Sequence, residues 1–447
     1  MTSSTQPVSR RSLWSWALYD FANSAFTTIV ITFIFAIYFA DVLVCSAEWA
    51  GCLTAEEEAN LSLAERLGDT RGQALWGYSQ TFITLLVAIL APIFGAIADL
   101  GGRRKPWIFS FSMICIVCTV GLFFMRPDPA FILPAVLLVA VANAGFELGI
   151  VFNNAMLPDL VSKERVGRWS GWAWGLGYFG GLVSLVVCLV LVLGAEGEAA
   201  LNATLLTNLI VAGWFFVFML PMFFFTPDRP GKGLPMGEAV TQGLSSVLNT
   251  AQKILRQPNL LRFLIARMIF TDGAITLFSM GATYAAIRHG MDLTQIILFG
   301  ILLNVTAGAG AMLFGFIDDR IGAKRVIIIS LFGLILLGIP GLTTPYWLPE
   351  ATATWAFIGF GAALGIFVGP LQSAGRSFMA RIAPAEQRTE YFGFLALTGK
   401  ATTFLGPFAV ATVTIMTGNM DIGMMPILVF WAVGLALMFG VKDEVAD

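Results

Sequence analysis

Six ionisable side chains interrupt long apolar runs: Asp20, Glu147, Arg267, Asp272, Arg376 and Lys400. A charge at mid-bilayer costs roughly 2.5–3.5 kcal/mol on insertion scales, so each is a candidate for function. Three acids and three bases could equally pair into a fixed, neutral set. The polar residues around them fall on single helical faces. Asp20, Asn23 and Thr27 stand at i, i+3 and i+7, and Asn143, Glu147 and Asn154 at i, i+4 and i+11. Asp272, Thr276, Ser279 and Thr283 share a third face, and Gln372 and Arg376 stand at i and i+4. Carboxylates on such stripes can take a proton on one side of a membrane and release it on the other. That chemistry is proton coupling, with Asp20 and Glu147 as carriers and Asp272 in a substrate site. Lys400 and Arg376 would face a substrate carboxylate, which fits a zwitterion such as an amino acid. Arg376 could instead pair with aspartates at the inner end of the eighth helix. Arg267, about 140° around its helix from Asp272, is expected to serve structure or a gate.

The elements that must position these groups are membrane-spanning helices. Of 447 residues 57% are hydrophobic and 12% charged, and mean hydropathy is +0.81. A soluble protein carries roughly 25% charged residues, so an ordinary soluble enzyme is excluded. Apolar segments long enough to span fall at about 13–44, 74–98, 107–125, 131–157, 169–194 and 203–225, then at about 259–287, 293–317, 325–343, 351–379, 391–417 and 422–440. The fold class is therefore all-α integral membrane, with twelve transmembrane helices in two six-helix bundles. The units expected are 1–226, a linker at 227–258 and 259–447. Within the linker, Val240, Leu244, Val247, Leu248, Ala251, Ile254 and Leu255 are spaced as an amphipathic helix at the membrane interface. Lysine and arginine concentrate on one set of loops, which places both termini in the cytoplasm of an inner-membrane protein. Cys45 and Cys52 bound a short segment on the opposite side and are expected to form a disulfide. In the same loop Thr54 and Glu57 read as a capping box.

The two halves repeat. Gly95 to Lys105, G-A-I-A-D-L-G-G-R-R-K, parallels Gly315 to Arg325, G-F-I-D-D-R-I-G-A-K-R, so that Asp99 matches Asp319. Leu157 to Gly171 parallels Met379 to Gly393, and Asp20 aligns more weakly with Asp272. Parallel repeats of this kind build transporters. The duplicated G-x-x-x-D-x-x-G-R/K element resembles the inner-loop signature of the major facilitator superfamily, across essentially the whole chain. W-A-L-Y-D-F-A-N-S-A-F (Trp16 to Phe26), G-R-W-S-G-W-A-W-G-L-G-Y-F-G-G (Gly167 to Gly181) and Y-F-G-F-L-A-L-T-G-K-A-T-T-F-L-G-P (Tyr391 to Pro407) are similar to its "unknown major facilitator" branch. The eukaryotic relatives of that branch include autophagy-linked vacuolar amino-acid effluxers.

The resemblance implies a pseudo-two-fold fold and a secondary transporter of small organic solutes, with helices one, four, seven and ten around a central cavity. Gly95, Asp99, Gly102 and Arg103, with Gly315, Asp319, Gly322 and Lys324, are expected to gate it, the aspartates accepting hydrogen bonds from nearby arginines. The reading is a monomeric, proton-coupled exporter of an amino acid. Its alternatives are an importer of a peptide or metal chelate, or a non-transporting sensor or scaffold. A net charge of −2 offers no basic face to nucleic acid. One histidine, His289, and no metal-ligand or Walker-type spacing leave no expectation of a cofactor or of enzyme chemistry.

Overall fold

The computed structural model describes residues 8–47, 50, 52, 71–231, 234 and 236–442; the Thr54/Glu57 capping box lies outside them. Among the described residues twelve helices are long and apolar enough to cross a membrane. In chain order they are α1 Arg10–Ser46, α2 Gly72–Gly101, α3 Lys105–Leu122, α4 Pro129–Leu160, α5 Lys163–Val192 and α6 Gly197–Phe225. The second six are α7 Pro258–His289, α8 Thr294–Ile321, α9 Ala323–Trp347, α10 Thr352–Ile382, α11 Arg388–Thr417 and α12 Met420–Phe439. An even number of crossings puts the start of α1 and the end of α12 on one face, here the terminal face; the other is the distal face. The linker helix, Met236–Arg256, lies between the halves.

α1 and α11 depart most from regular helix. In α1, Phe26–Phe33 and Tyr38–Leu43 are wound as π-helix. The run Thr27-Thr28-Ile29-Val30-Ile31-Thr32 is β-branched throughout, which crowds an α-helix. The Thr32 hydroxyl donates to the Thr27 carbonyl at 2.9 Å, five residues back, and so does the Ile34 N–H to Ile29. α11 is broken: Arg388–Lys400 and Leu405–Thr417 are joined by a turn at 401–404. Pro407 supplies no N–H and its ring would meet the Thr403 carbonyl of a continuous helix.

Glycines set how closely the halves approach. A Cβ on Gly95 of α2 would stand 2.6 Å from the Thr389 carbonyl oxygen, and one on Gly393 of α11 2.6 Å from Pro92 Cα. The glycines of α5 divide between two neighbours. A Cβ on Gly171 would lie 2.9 Å from Gly315 Cα of α8, and one on Gly180 2.8 Å from Phe21 Cα of α1. One helix thus packs at backbone distance against its own half and the other half, as small-residue faces allow. Gly102 and Gly322, the second glycines of the repeated motif, both take φ +87° at the end of their helix, a conformation that favours glycine. At the distal end of α1, Cys45 is joined to Cys52 by a disulfide, their Cα atoms 5.5 Å apart.

Candidate functional site

At the terminal face the repeated aspartates do one job twice. The Asp99 carboxylate accepts the Glu390 backbone N–H at 2.9 Å, and Asp319 accepts that of Arg168, also at 2.9 Å. Residues 168 and 390 are repeat-equivalent positions in the first turns of α5 and α11. Each motif aspartate therefore caps a helix of the opposite half, where the orphan N–H groups and the dipole favour a carboxylate. Contacts to arginine side chains are longer: 3.4 Å from Arg104 to Asp99 and 3.4 Å from Arg168 to Asp319.

Around these caps the two halves carry opposite charges at equivalent positions. Arg104 donates to Asp159 at 2.6 Å, to the Ala155 carbonyl at 2.8 Å and to Thr389 at 2.8 Å. Arg388 of the other half also bonds Asp159. In the second copy the acid is on the motif and the base on the neighbour: Asp318 bonds Arg381 at 2.5 Å and accepts from Ser377. Arg103 is exposed, so the sequence expectation is corrected by one residue: Arg104, buried to 1% exposure, holds the contact. Lys324, its repeat counterpart, is half-buried.

Deeper in the bundle two more ion pairs cross between halves. Arg376 of α10 reaches Asp20 of α1 at 2.8 Å and Asn154 of α4 at 2.9 Å, and donates to the hydroxyl and carbonyl of Ser170 of α5 at 2.9 and 2.5 Å. Its guanidinium lies between the rings of Trp16 and Trp174, 5.4 and 5.6 Å from their centroids. Asn153 donates to the other oxygen of Asp20 at 3.2 Å. Arg376 thus bonds neither aspartate of α8, which take Arg168 and Arg381 instead. Lys400, on the last turn before the break in α11, pairs with Glu147 of α4. Among the described residues no hydrogen bond joins the halves on the distal side of that pair. The hydrogen bonds between the halves are therefore concentrated at the terminal face and down to the depth of that pair.

The remaining candidates stand apart from these pairs. Asp272 is 3% exposed and its Oδ1 has no partner among the described residues. Arg267 gives one hydrogen bond, 2.7 Å to the Leu395 carbonyl, and sits in a slot beside Gly375 and Gly399. Asn23 is buried, its amide nitrogen without a partner among the described residues, Asn143 reaches Gln80 of α2 at 3.5 Å, and Gln372 is half-buried. No group of three metal-ligating side chains occurs among the described residues.

A profile of the family described as "Vacuole effluxer Atg22 like" matches residues 8–446. The chain belongs to the Atg22-like family. Its relatives include the MFS-type transporter YxiO of Bacillus subtilis, 25% identical over 96% of this chain and 94% of that one. Autophagy-related protein 22 of Coccidioides immitis is 22% identical over 92% and 83%. Among solved structures, the proton:xylose symporter XylE superposes with TM-score 0.72 at 13% identity over 97% of both chains. A bacterial homologue of the iron transporter ferroportin, in its outward-facing state, gives 0.67 at 12% identity over 97% and 99%. These likenesses show the major facilitator fold, and the family's description and the B. subtilis relative support a membrane transporter.

In this Atg22-like chain several members of the site carry no mark in the sequence. Ser170 and Asn153 look like ordinary small or polar residues of a span. Asp159 and Arg381 were visible only as an aligned pair of opposite charges in the second repeat match. Trp174 stands at i, i+4 with Tyr178, a spacing that suits ordinary packing or an aromatic wall for a cation. The cation it meets is Arg376 of the chain itself.

Proposed function

We propose that this protein is a proton-coupled secondary transporter that exports a zwitterionic amino acid, or a close relative of one, by alternating access. Asp20 on Arg376 and Glu147 on Lys400, each a carboxylate of one half on a cation of the other, carry the reading. Opening the terminal face must break both pairs. Removing one partner of a buried pair costs roughly 3–5 kcal/mol, and protonating the carboxylates first avoids leaving them charged and alone. Protons from outside neutralise Asp20 and Glu147, free Arg376 and Lys400, and let the halves part at the terminal face. There the protons leave, the freed cations take the substrate carboxylate, and the unpartnered oxygen of Asp272 takes its ammonium. Return to the distal-open state brings Asp20 and Glu147 back onto their cations and displaces the substrate outward. Proton and substrate thus use the same cations in turn.

The rest of the reading follows from charge and chemistry. The terminal face is cytoplasmic because it carries the basic loops, and the Cys45–Cys52 bond suits an oxidising exterior. The family's description as an effluxer supports export. Residues 1–226 and 259–447 act as the two halves of one monomer, joined by 227–258. The test is flux in proteoliposomes with and without an imposed pH gradient, for wild type, Asp20→Asn and Glu147→Gln. Gradient-driven accumulation should appear in wild type and disappear in both variants. Wild-type flux indifferent to the gradient, or accumulation kept by both variants, overturns the proposal.

A further inference from the structure

We propose that the linker is a strap across the closed terminal face, and that it must release one half before that face can open. Its start and the middle of its helix engage carboxylates at the seam between the halves. Just after α6, Asp228 accepts the backbone N–H groups of Arg104 and Lys105 at 3.1 and 3.0 Å, which caps α3. The next residue, Arg229, bonds Asp159 at 2.6 and 2.7 Å, the same carboxylate that takes Arg388 from the other half.

The helix Met236–Arg256 then straddles the seam itself. Towards the N-terminal half, a Cβ on Gly243 would stand 3.2 Å from the Ile97 nitrogen of α2, so the two backbones are in contact. Towards the C-terminal half, Ser246 donates to Glu390 at 3.1 Å and Gln387 donates to Thr250 at 2.9 Å, both at the start of α11. Ala239, Gly243, Thr250 and Ile254 form the buried stripe of the helix. Val240, Leu244, Leu248 and Leu255 form another, left exposed, which suits the lipid surface beside the bundle. Sequence spacing alone groups all these apolar residues on one membrane face; the structure divides them.

Glu390 is where the strap and the closed face meet. Its N–H is capped by Asp99 of the N-terminal half, and its carboxylate accepts from the linker. When the halves separate at the terminal face, α2 and α11 move apart, and one helix cannot keep contact with both. The grip on α11 is two hydrogen bonds rather than an interlocked apolar core, so it can let go as the halves part, leaving the helix held on one side only.

The test uses the full chain in nanodiscs with spin labels on Glu164→Cys and Arg325→Cys, exposed at the terminal ends of α5 and α9. Ser246→Ala with Thr250→Val should raise the terminal-open fraction about tenfold, the equivalent of ~1.4 kcal/mol. Thr250→Ser in place of Thr250→Val should restore part of the wild-type distribution. Folded variants with wild-type distances overturn the strap. A second measurement needs no linker substitution: amide exchange across 236–256 should accelerate when Asp99→Asn opens the terminal face. A linker helix that stays protected while the labels report an open face overturns it too. The proposal rests on alternating access and not on the substrate; neither experiment uses one, so a failed transport assay leaves it untouched.

Discussion

Gly95→Ala separates the closure of the terminal face from everything else α2 does, because the same helix contains its own control. At Gly95 a methyl group would stand 2.6 Å from the Thr389 carbonyl oxygen and 2.9 Å from Glu390 Cα, all backbone on the far side. At Gly101, six residues on in the same helix, a methyl would meet nothing within 4 Å. Gly101 is the last residue of the helix, where the interior preference for alanine of up to about 1 kcal/mol is little felt, so Gly101→Ala should be close to neutral. Gly95→Ala gains that interior term but forces two backbones apart by several tenths of an ångström. Overpacking of this kind costs typically 1–3 kcal/mol. The Asp99 cap on Glu390 lies beside the contact and is stretched with it. A net penalty of about 2 kcal/mol on the closed state corresponds to roughly a 30-fold shift towards the terminal-open state. Distances between spin labels across the terminal face of the folded protein read this directly. If Gly95→Ala and Gly101→Ala give the same distances, the close approach of α2 and α11 does not hold the face shut.

Three further outcomes follow from the same contacts. Asp99→Asn and Asp319→Asn each weaken a helix cap between halves, and should slow transport while leaving equilibrium binding within a few-fold; a large loss of affinity in folded protein would count against this. Arg376→Lys keeps the charge but loses the fork that serves Asp20, Asn154 and Ser170. It should cost about 2 kcal/mol of terminal-face closure, read by the same labels, and wild-type distances would refute the assignment of Arg376 to closure. Mass spectrometry of unreduced protein should find Cys45 and Cys52 joined and Cys115, Cys118 and Cys188 as free thiols; free Cys45 and Cys52 would remove the bond.

The twelve spans were legible because a bilayer imposes length and hydropathy on each one separately. The repeated motif was legible because the same contact is made twice, and its second glycine must adopt a left-handed conformation both times. What could not be read was pairing. Asp20 and Arg376 are separated by 356 residues, and nothing local in either segment names the other. The charge spacing that suggested a substrate site also describes an ion pair, because both need a charge held in the bilayer by a partner. The break in α11 was partly hidden as well: Gly399, Gly406 and Pro407 were in view, but the apolar run continues through them. Hydropathy averages over the two or three residues that decide helix continuity.

Arg103 shows most simply how a motif can be right and a residue wrong. The motif supplies two adjacent arginines after a glycine that ends the helix. Which of them turns inward depends on the direction the chain takes after that glycine. Asp228 settles it from elsewhere in the chain, by holding the N–H groups of Arg104 and Lys105 and so fixing how α3 begins. Arg104 is then aimed at Asp159 and Thr389, and Arg103 is left facing outward. Asp228 lies in the segment T-P-D-R-P-G-K-G (226–233), whose prolines and glycines mark in the sequence only that a helix cannot continue. The linker thus decides which arginine of the repeated motif bonds across the seam. The two halves cannot be understood as separate bundles with a passive connection, since the connection orients a side chain through which one half holds the other.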